Sequence, residues 1–213
     1  MAARRPRATS GRPRGADSVQ RRAEILDAAE ELFADQGYRG VSMSAVARAA
    51  GISQTGLVHH FATKDDLLAA VLDRRDEQDT AQLLATPEQG WRFVETLVGI
   101  VRQNEERETL VRLYTALSGE AVTPDHPATR WLRRHHHAVR ENITAAVEQA
   151  VADGELVAET PADHIARLLI AAMDGLQVQW LVDESDPPMA EHFRRLVETL
   201  HAQWRANRPP RSS

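Results

Sequence analysis

Residues 42–64 read SMSAVARAAGISQTGLVHHFATK, a pattern typical of two short helices joined by a turn. Ser42 and Ser53 are of the residue type that accepts a hydrogen bond from a helix N-terminal amide, so each predicts a helix start. Gly51 supplies the positive φ that ends the first helix, and the second is predicted from Gln54 to His60. The pair forms either a helix-turn-helix, whose second helix enters a DNA major groove, or an ordinary helical hairpin of a globular core.

The sequence around this stretch favours the helix-turn-helix. Upstream lies ILDAAEELFADQGYRG and downstream lies DDLLAAVL. The positions that identify the pattern are Ala28, Ala29, Phe33, Gly37, Tyr38, Val46, Ala47, Ala50, Gly51, Ser53, Leu57, His60, Phe61, Lys64 and Leu67. With these residues, the region 21–72 resembles the amino-terminal DNA-binding domain of the tetracycline-repressor (TetR) family of bacterial regulators. It departs from that family at Val58, where many members carry a tyrosine whose hydroxyl reaches a phosphate.

Composition limits the class of protein. The chain has 213 residues, of which 42% are hydrophobic and 27% are charged, and it has no cysteine. Disulfides, thiolate metal sites and cysteine nucleophiles are therefore excluded. We expect a cytoplasmic protein, because no apolar run looks long enough to span a bilayer and the arginine-rich start lacks the apolar segment of a signal peptide.

Charge is distributed unevenly along the chain. The formal net charge is −5, yet residues 1–22 hold seven arginines and one aspartate, which gives +6 there and leaves −11 for the rest. Residues 1–16 mix arginine with proline, glycine and serine, which predicts a disordered basic arm. This arm either contacts DNA beside the main site or serves as a solubilising tail.

The fold class is predicted to be all-α. Residues 17–63 are assigned to a three-helix helix-turn-helix DNA-binding domain, residues 64–208 to a helical ligand-binding and dimerisation domain, and residues 209–213 to a tail. A fourth helix is predicted from residue 64 towards Pro87. The helices predicted after it span residues 88–104, 106–118, 128–153, 161–182 and 189–205.

DNA contacts are predicted from the second helix of the motif and its flanks. Base-edge contacts are assigned to Gln54, Thr55, Gly56 and His59. Phosphate contacts are assigned to Ser42, Ser44, Ser53 and Lys64, with His60 or Tyr38 as further candidates. For Tyr38, packing against the helices is an equally good interpretation.

The segment 161–182 predicts a dimer interface, because it is apolar over most of its circumference and needs cover on more than one side. It resembles the C-terminal domain of the BetI-like branch of the family. The alternative is a core within one chain. The predicted interface residues are Leu169, Met173, Leu176, Leu181, Phe193, Leu196 and Leu200.

Aromatic and polar side chains on the later helices predict a ligand cavity, although such residues are more often plain core. The predicted lining residues are Trp91, Phe93, Tyr114, Trp131, His135, Met173, Gln177 and Trp180. The run His135-His136-His137 does not favour a metal site, because consecutive helical residues point in different directions. No metal or other cofactor is predicted.

The sequence therefore predicts a homodimer that binds double-stranded DNA, responds to a small-molecule effector and has no membrane association. In the family that it resembles, such proteins are usually repressors. No catalytic motif is visible, so an enzyme is not expected. The alternative function is a dimeric DNA-binding protein without a small-molecule effector, controlled by a protein partner or acting constitutively.

Overall fold

The computed structural model describes residues 14–84, 88–123, 125–183 and 188–206. Within these ranges the fold is all-α, as predicted, and the only β pairing is an isolated bridge between Leu156 and Arg205. Most of the predicted basic arm lies outside the described residues. The helices are α1 (Arg14–Gly40), α2 (Met43–Ala49), α3 (Gln54–His60), α4 (Lys64–Leu84), α5 (Trp91–Glu105), α6 (Glu108–Glu120), α7 (Ala128–Ala152), α8 (Ala162–Val182) and α9 (Met189–Trp204).

Helix starts differ from the predicted ones where the backbone rather than the side-chain pattern decides them. α1 begins at Arg14, before the predicted start at residue 17. α5 begins at Trp91 rather than at residue 88, because Gly90 has a φ of 60° and sits outside the helix as its cap. α7 and α9 begin at the predicted residues, 128 and 189.

Gly37 interrupts α1 with a φ of 68°, a conformation that side chains other than glycine rarely adopt. The break turns the amide of Tyr38 towards the end of α6, where it donates to Glu120 Oε1 at 3.2 Å. The other oxygen of the same carboxylate lies 3.0 Å from His126 Nε2. Glu120 thus joins the C-terminal end of α1 to the α6–α7 link.

The first cluster of buried side chains extends beyond the DNA-binding region. Its members in α1 to α4 include Phe33, Leu57 and Leu67, and its members in α6 and α7 include Leu113 and Trp131. The predicted division between residues 63 and 64 stays a prediction. In packing, however, the first half of α4 belongs with α1, and both rest on α6 and α7.

The second cluster combines α5, α7, α8 and α9 around fully buried side chains such as Trp91, Ile143 and Phe193. The C-terminal end closes over it, because Val157 donates to Trp204 O and Ala206 donates to Glu155 O, both at 2.9 Å. The two clusters share α7, whose start packs in the first and whose end packs in the second. α7 therefore connects the two clusters.

α8 is strongly apolar, yet little of its surface is buried against the rest of the protomer. By length and composition alone it is long and apolar enough to cross a membrane, so the expectation that no apolar run has the necessary length is wrong. Only 22% of its apolar stretch is buried within the protomer. The helix packs against α6, α7 and α9, and its remaining side has no cover within the described part of the protomer.

Candidate nucleic-acid interface

The helix-turn-helix unit, formed by α2 and α3, is held by the two predicted serine caps. Ser42 Oγ accepts from the amide of Ala45 at 3.2 Å, and Ser53 Oγ accepts from the amide of Gly56 at 3.0 Å. Gly51 has a φ of 66°, which ends α2 and lets the chain reverse into α3. These local interactions fix where α2 ends and where α3 begins.

α3 has one buried side and one solvent-facing side. Leu57 is fully buried in the first cluster, and Phe61 follows it at the end of the helix. Four side chains on successive turns of α3 face solvent: those of Gln54, Thr55, Val58 and His59. This surface offers an amide, a hydroxyl, an apolar side chain and an imidazole, which are groups that contact base edges in a major groove.

Gly56 does not belong to this surface. It is half-buried, its amide is bonded to Ser53, and a Cβ at this position would lie 3.2 Å from Ser53 Oγ. A glycine suits the close approach of the capping serine, and the base-edge role of Gly56 stays a prediction.

The structure contradicts a phosphate contact by Tyr38. Its ring is buried between Phe33 and His126, with centroids 5.8 and 5.2 Å away, and its hydroxyl donates to Asp65. Burial, followed by the hydrogen bond to Asp65 and the charge of that carboxylate, raises the pKa of Tyr38 well above its ordinary value. The packing interpretation of Tyr38 is the one that this geometry supports.

Lys64 likewise has partners inside the protein. Its Nζ donates to the carbonyl oxygens of Tyr38 and Val41, both at 2.8 Å, and lies 4.1 Å from the centroid of the Tyr38 ring. A cation at a helix N-terminus is unfavourable, and the carbonyls of the α1–α2 link offset that cost. These bonds use two of its three N–H groups and favour a structural role for Lys64, while its phosphate contact stays a prediction.

We expect Lys64→Ala to lower the free energy of unfolding by about 1.5–3 kcal/mol, because it removes two charge-assisted hydrogen bonds that hold the α1–α2 link. The dependence of DNA affinity on salt should stay unchanged. Denaturant unfolding and DNA titrations at several salt concentrations measure the two effects. Unchanged stability together with a salt slope reduced by about one unit would restore Lys64 as a phosphate ligand.

Sequence reasoning did not single out two exposed arginines near the helix-turn-helix unit. Arg48 is exposed in the last turn of α2. The guanidinium of Arg22, in α1, lies 5.1 Å from the centroid of the Phe61 ring, at the end of α3. In the sequence Arg22 belongs to the basic N-terminal stretch. Its position beside α3 could not be predicted, because the cation–π contact joins residues far apart in sequence.

Two family models match this chain. The one described as "Bacterial regulatory proteins, tetR family" matches residues 25–71, and the one described as "BetI-type transcriptional repressor, C-terminal" matches residues 92–205, which is more than half of the chain. The chain belongs to the TetR family. Both resemblances predicted from the sequence are thereby confirmed, and the helix-turn-helix unit is that of a DNA-binding transcriptional regulator.

Individual relatives agree over most of the chain. The transcriptional regulator UidR of Escherichia coli K12 is 28% identical over 156 residues, 73% of this chain and 79% of that protein. The transcriptional repressor BepR of Brucella suis is 25% identical over 198 residues, 90% of this chain and 95% of that protein. A TetR transcriptional regulator of Chloroflexus aurantiacus has 25% identity and a TM-score of 0.78, with 89% of this chain and 98% of that chain covered.

In this TetR-family chain, the predicted ligand residues do not surround one cavity. Tyr114 and Trp131 are buried in the first cluster, against α1 and α4, whereas Trp91 is fully buried in the second and stacks on His201 at 5.0 Å. These residues therefore belong to two clusters, and a common ligand lining stays a prediction. Phe93, Met173 and Trp180 pack at the edge of the second cluster, and Gln177 is buried with its Oε1 unbonded among the described groups.

The three consecutive histidines of α7 have three different environments. His135 stacks on Trp131 at 4.9 Å and lies 2.9 Å from Asp76 of α4, and the ligand contact predicted for it stays a prediction. His136 and His137 instead line an open cleft between α7 and α8. His136 Nε2 lies 2.9 Å from the Tyr114 hydroxyl at the inner side of that cleft.

The uncovered side of α8 differs from the predicted dimer interface. Leu169, Phe193 and Leu200 are buried within the protomer, so their assignment to an interface is wrong. Three other apolar side chains of α8 are exposed instead: Leu168 by 40%, Val178 by 47% and Val182 by 82%. Met173, Leu176, Leu181 and Leu196 are half-buried, and their place in an interface stays a prediction.

Proposed function

We propose that this protein is a homodimeric, cytoplasmic transcriptional repressor without enzymatic activity. Its two recognition helices α3 occupy successive major grooves of a palindromic operator, and a small molecule bound by the second half of the chain releases it. The observation that carries the proposal is the solvent-facing surface of α3, formed by Gln54, Thr55, Val58 and His59 on a capped helix-turn-helix unit.

Sequence specificity is assigned to that surface. Gln54 can bond adenine through its amide, and Thr55 and His59 can bond other base edges. Val58, 46% exposed, carries no hydroxyl for a phosphate. Its methyl groups suit apolar contact with the methyl group of thymine instead.

Contacts to the DNA backbone are assigned to side chains around α3. The hydroxyls of Ser42 and Ser53 accept from helix amides, which leaves the hydroxyl hydrogen of Ser53 for a phosphate oxygen and one hydroxyl hydrogen of the Ser42–Ser44 pair for another. Ser44, whose Oγ lies 3.0 Å from Ser42 Oγ, is exposed beside them. Arg48 and Arg22 supply positive charge, and His60, half-buried at the end of α3, is a further candidate.

Dimerisation is assigned to α8 together with the adjacent face of α9. The exposed apolar side chains of α8 recur at helical spacing, and a helix with a mean hydropathy of 1.3 that is mostly uncovered needs a partner surface. A two-fold axis through this face lets the same stripe cover itself in the second copy.

The ligand-responsive form of the function is favoured over control by a protein partner alone. The cleft between α7 and α8 has a volume of about 730 Å³ and brings several polar groups together. Tyr114, at its inner side, also contacts α4 through Arg75, whose guanidinium carbon lies 3.9 Å from the ring centroid. A molecule bound there has a direct structural connection to the helix that follows the helix-turn-helix unit.

The experiment that tests the proposal compares DNA selected from a random pool by the wild type and by Gln54→Ala. We expect Gln54→Ala to relax the preference at one base position in each half-site, at a cost of about 1–3 kcal/mol for the selected base. Arg48→Ala is the control. It should weaken binding to all DNA sequences about equally and reduce the slope of log K against log salt by about one. The reverse pattern would remove Gln54 from the base-reading surface.

A further inference from the structure

The cleft between α7 and α8 is strongly basic. Its lining carries one carboxylate, Asp174, and two apolar side chains, Ile170 and Ala171. The remaining lining residues are basic: Arg133, Arg134, His136, His137, Arg140 and Arg167. This excess is unusual in a chain whose residues after the basic N-terminal stretch carry a net charge of −11.

Carboxylates face most of the basic groups, and Asp73 of α4 interacts electrostatically with Arg134. Asp163 is shared by two arginines, with Arg140 Nε 3.4 Å and Arg167 Nε 2.9 Å from its oxygens. Asp174 lies 3.4 Å from His136, and Glu141 lies 3.3 Å from His137. Arg133 has no hydrogen bond or ion pair within the part of the chain that the structure describes. Arg133 therefore brings a positive charge to the cleft that is free to meet an anion.

We propose that this cleft binds an amphipathic organic anion, which is the effector of the repressor, an inference that rests on the proposed function. Guanidinium groups bind carboxylate, sulfonate or phosphate oxygens through paired hydrogen bonds. Ile170, Ala171 and the aliphatic stems of the arginines offer an apolar surface to the rest of such a molecule. A cation lacks a matching partner here, since Asp174 is the single carboxylate in the lining.

The inner side of the cleft connects an anion to the DNA-binding half. The Tyr114 hydroxyl donates to Asp174 at 3.2 Å and lies 2.9 Å from His136 Nε2. An anion that attracts His136 competes with these bonds and moves the Tyr114 ring, on which Arg75 of α4 rests. His135, the preceding residue of α7, contacts Asp76 of α4 at 2.9 Å. The cleft is therefore linked to two adjacent residues of α4: to Arg75 through Tyr114, and to Asp76 through His135.

The test measures binding of two fluorescent dyes, anilinonaphthalene sulfonate as the anionic probe and Nile red as the neutral probe. In the double variant Arg133→Gln/Arg140→Gln, the Kd for the sulfonate should rise about tenfold for each arginine removed. The Kd for Nile red should not change. Arg133→Lys/Arg140→Lys keeps the charge and should retain most of the affinity, and Arg92→Gln, on α5 outside the cleft, should match the wild type.

The same variants are then titrated with a DNA duplex selected from a random pool. The sulfonate should weaken the DNA complex of the wild type and should have at least tenfold less effect on the glutamine double variant. Equal sulfonate affinity in wild type and double variant, or a parallel loss of Nile red binding, would overturn the anion site. Arginine-dependent binding without any effect on DNA affinity would overturn its role as the effector site.

These outcomes separate the inference from the proposed function. If a duplex is selected and bound but sulfonate binding ignores the arginines, the repressor function stands and the anion site fails. If the random pool yields no preferred duplex, the proposed function fails whatever the dyes show.

Discussion

Val178→Glu is expected to turn the proposed dimer into monomers. Val178 lies on the uncovered stripe of α8 with Leu168 and Val182, and a two-fold interface would bury the new charge on both copies. Leaving a buried charge unpaired costs about 3–5 kcal/mol. One such cost per interface already raises the dimer Kd by more than a hundredfold.

Sedimentation or light scattering at micromolar concentration measures this effect. Val122→Glu is the matched control, because Val122 is also an exposed valine, 83% accessible, but lies in the link between α6 and α7. That variant should remain a dimer. A wild type that is monomeric, or a Val178→Glu protein that still dimerises like the wild type, would contradict the assignment of this face.

Trp131→Ala is expected to lower the free energy of unfolding by about 3–5 kcal/mol and to weaken DNA binding with it. Trp131 is buried in the first cluster, which also contains the core residues of α1, α3 and α4. Its loss therefore leaves a cavity beneath the DNA-binding half rather than in a ligand site.

Denaturant unfolding and DNA titration of the same samples measure the two losses together. Trp131→Phe is the control and should cost much less, because it keeps an aromatic ring and removes an indole N–H that has no partner among the described groups. Unchanged stability with a lost response to ligand would show instead that Trp131 lines a ligand site.

The helix-turn-helix unit was predictable because its determinants are local. Ser42 and Ser53 bond to amides three residues further along the chain, and Gly51 ends α2 by its own backbone conformation. The buried position of Leu57 follows from helical periodicity alone. For the same reason, the exposed positions of Gln54, Thr55 and His59 agree with the side of α3 that was predicted to face away from the core.

The roles of Tyr38 and Lys64 were not predictable, because their partners are distant in sequence. Tyr38 bonds to Asp65 and Glu120, and Lys64 reaches the carbonyls of Tyr38 and Val41. A lysine at a helix start has the same local sequence pattern whether its ammonium group faces solvent or bonds to carbonyl oxygens inside the protein. Only the packing of α4 against the end of α1 distinguishes them.

The second half of the chain shows a different limit of sequence analysis. α8 is apolar on nearly all sides, so periodicity could not tell the buried Leu169 from the exposed Leu168 next to it. Aromatic residues likewise gave no indication that Trp131 and Trp91 belong to different clusters. The basic cleft was missed because its arginines come from two helices whose adjacency the sequence does not encode locally.

The central claim is that two copies of this chain present their α3 helices to one palindromic site. The measurement that tests it most directly is the mass in solution of the complex with a duplex selected from a random pool, together with the symmetry of the selected sequence. We predict two protomers, or a multiple of two, on a palindrome whose half-site centres are roughly 34–36 Å or a multiple of that apart. A single protomer bound to a sequence without two-fold symmetry would contradict the account.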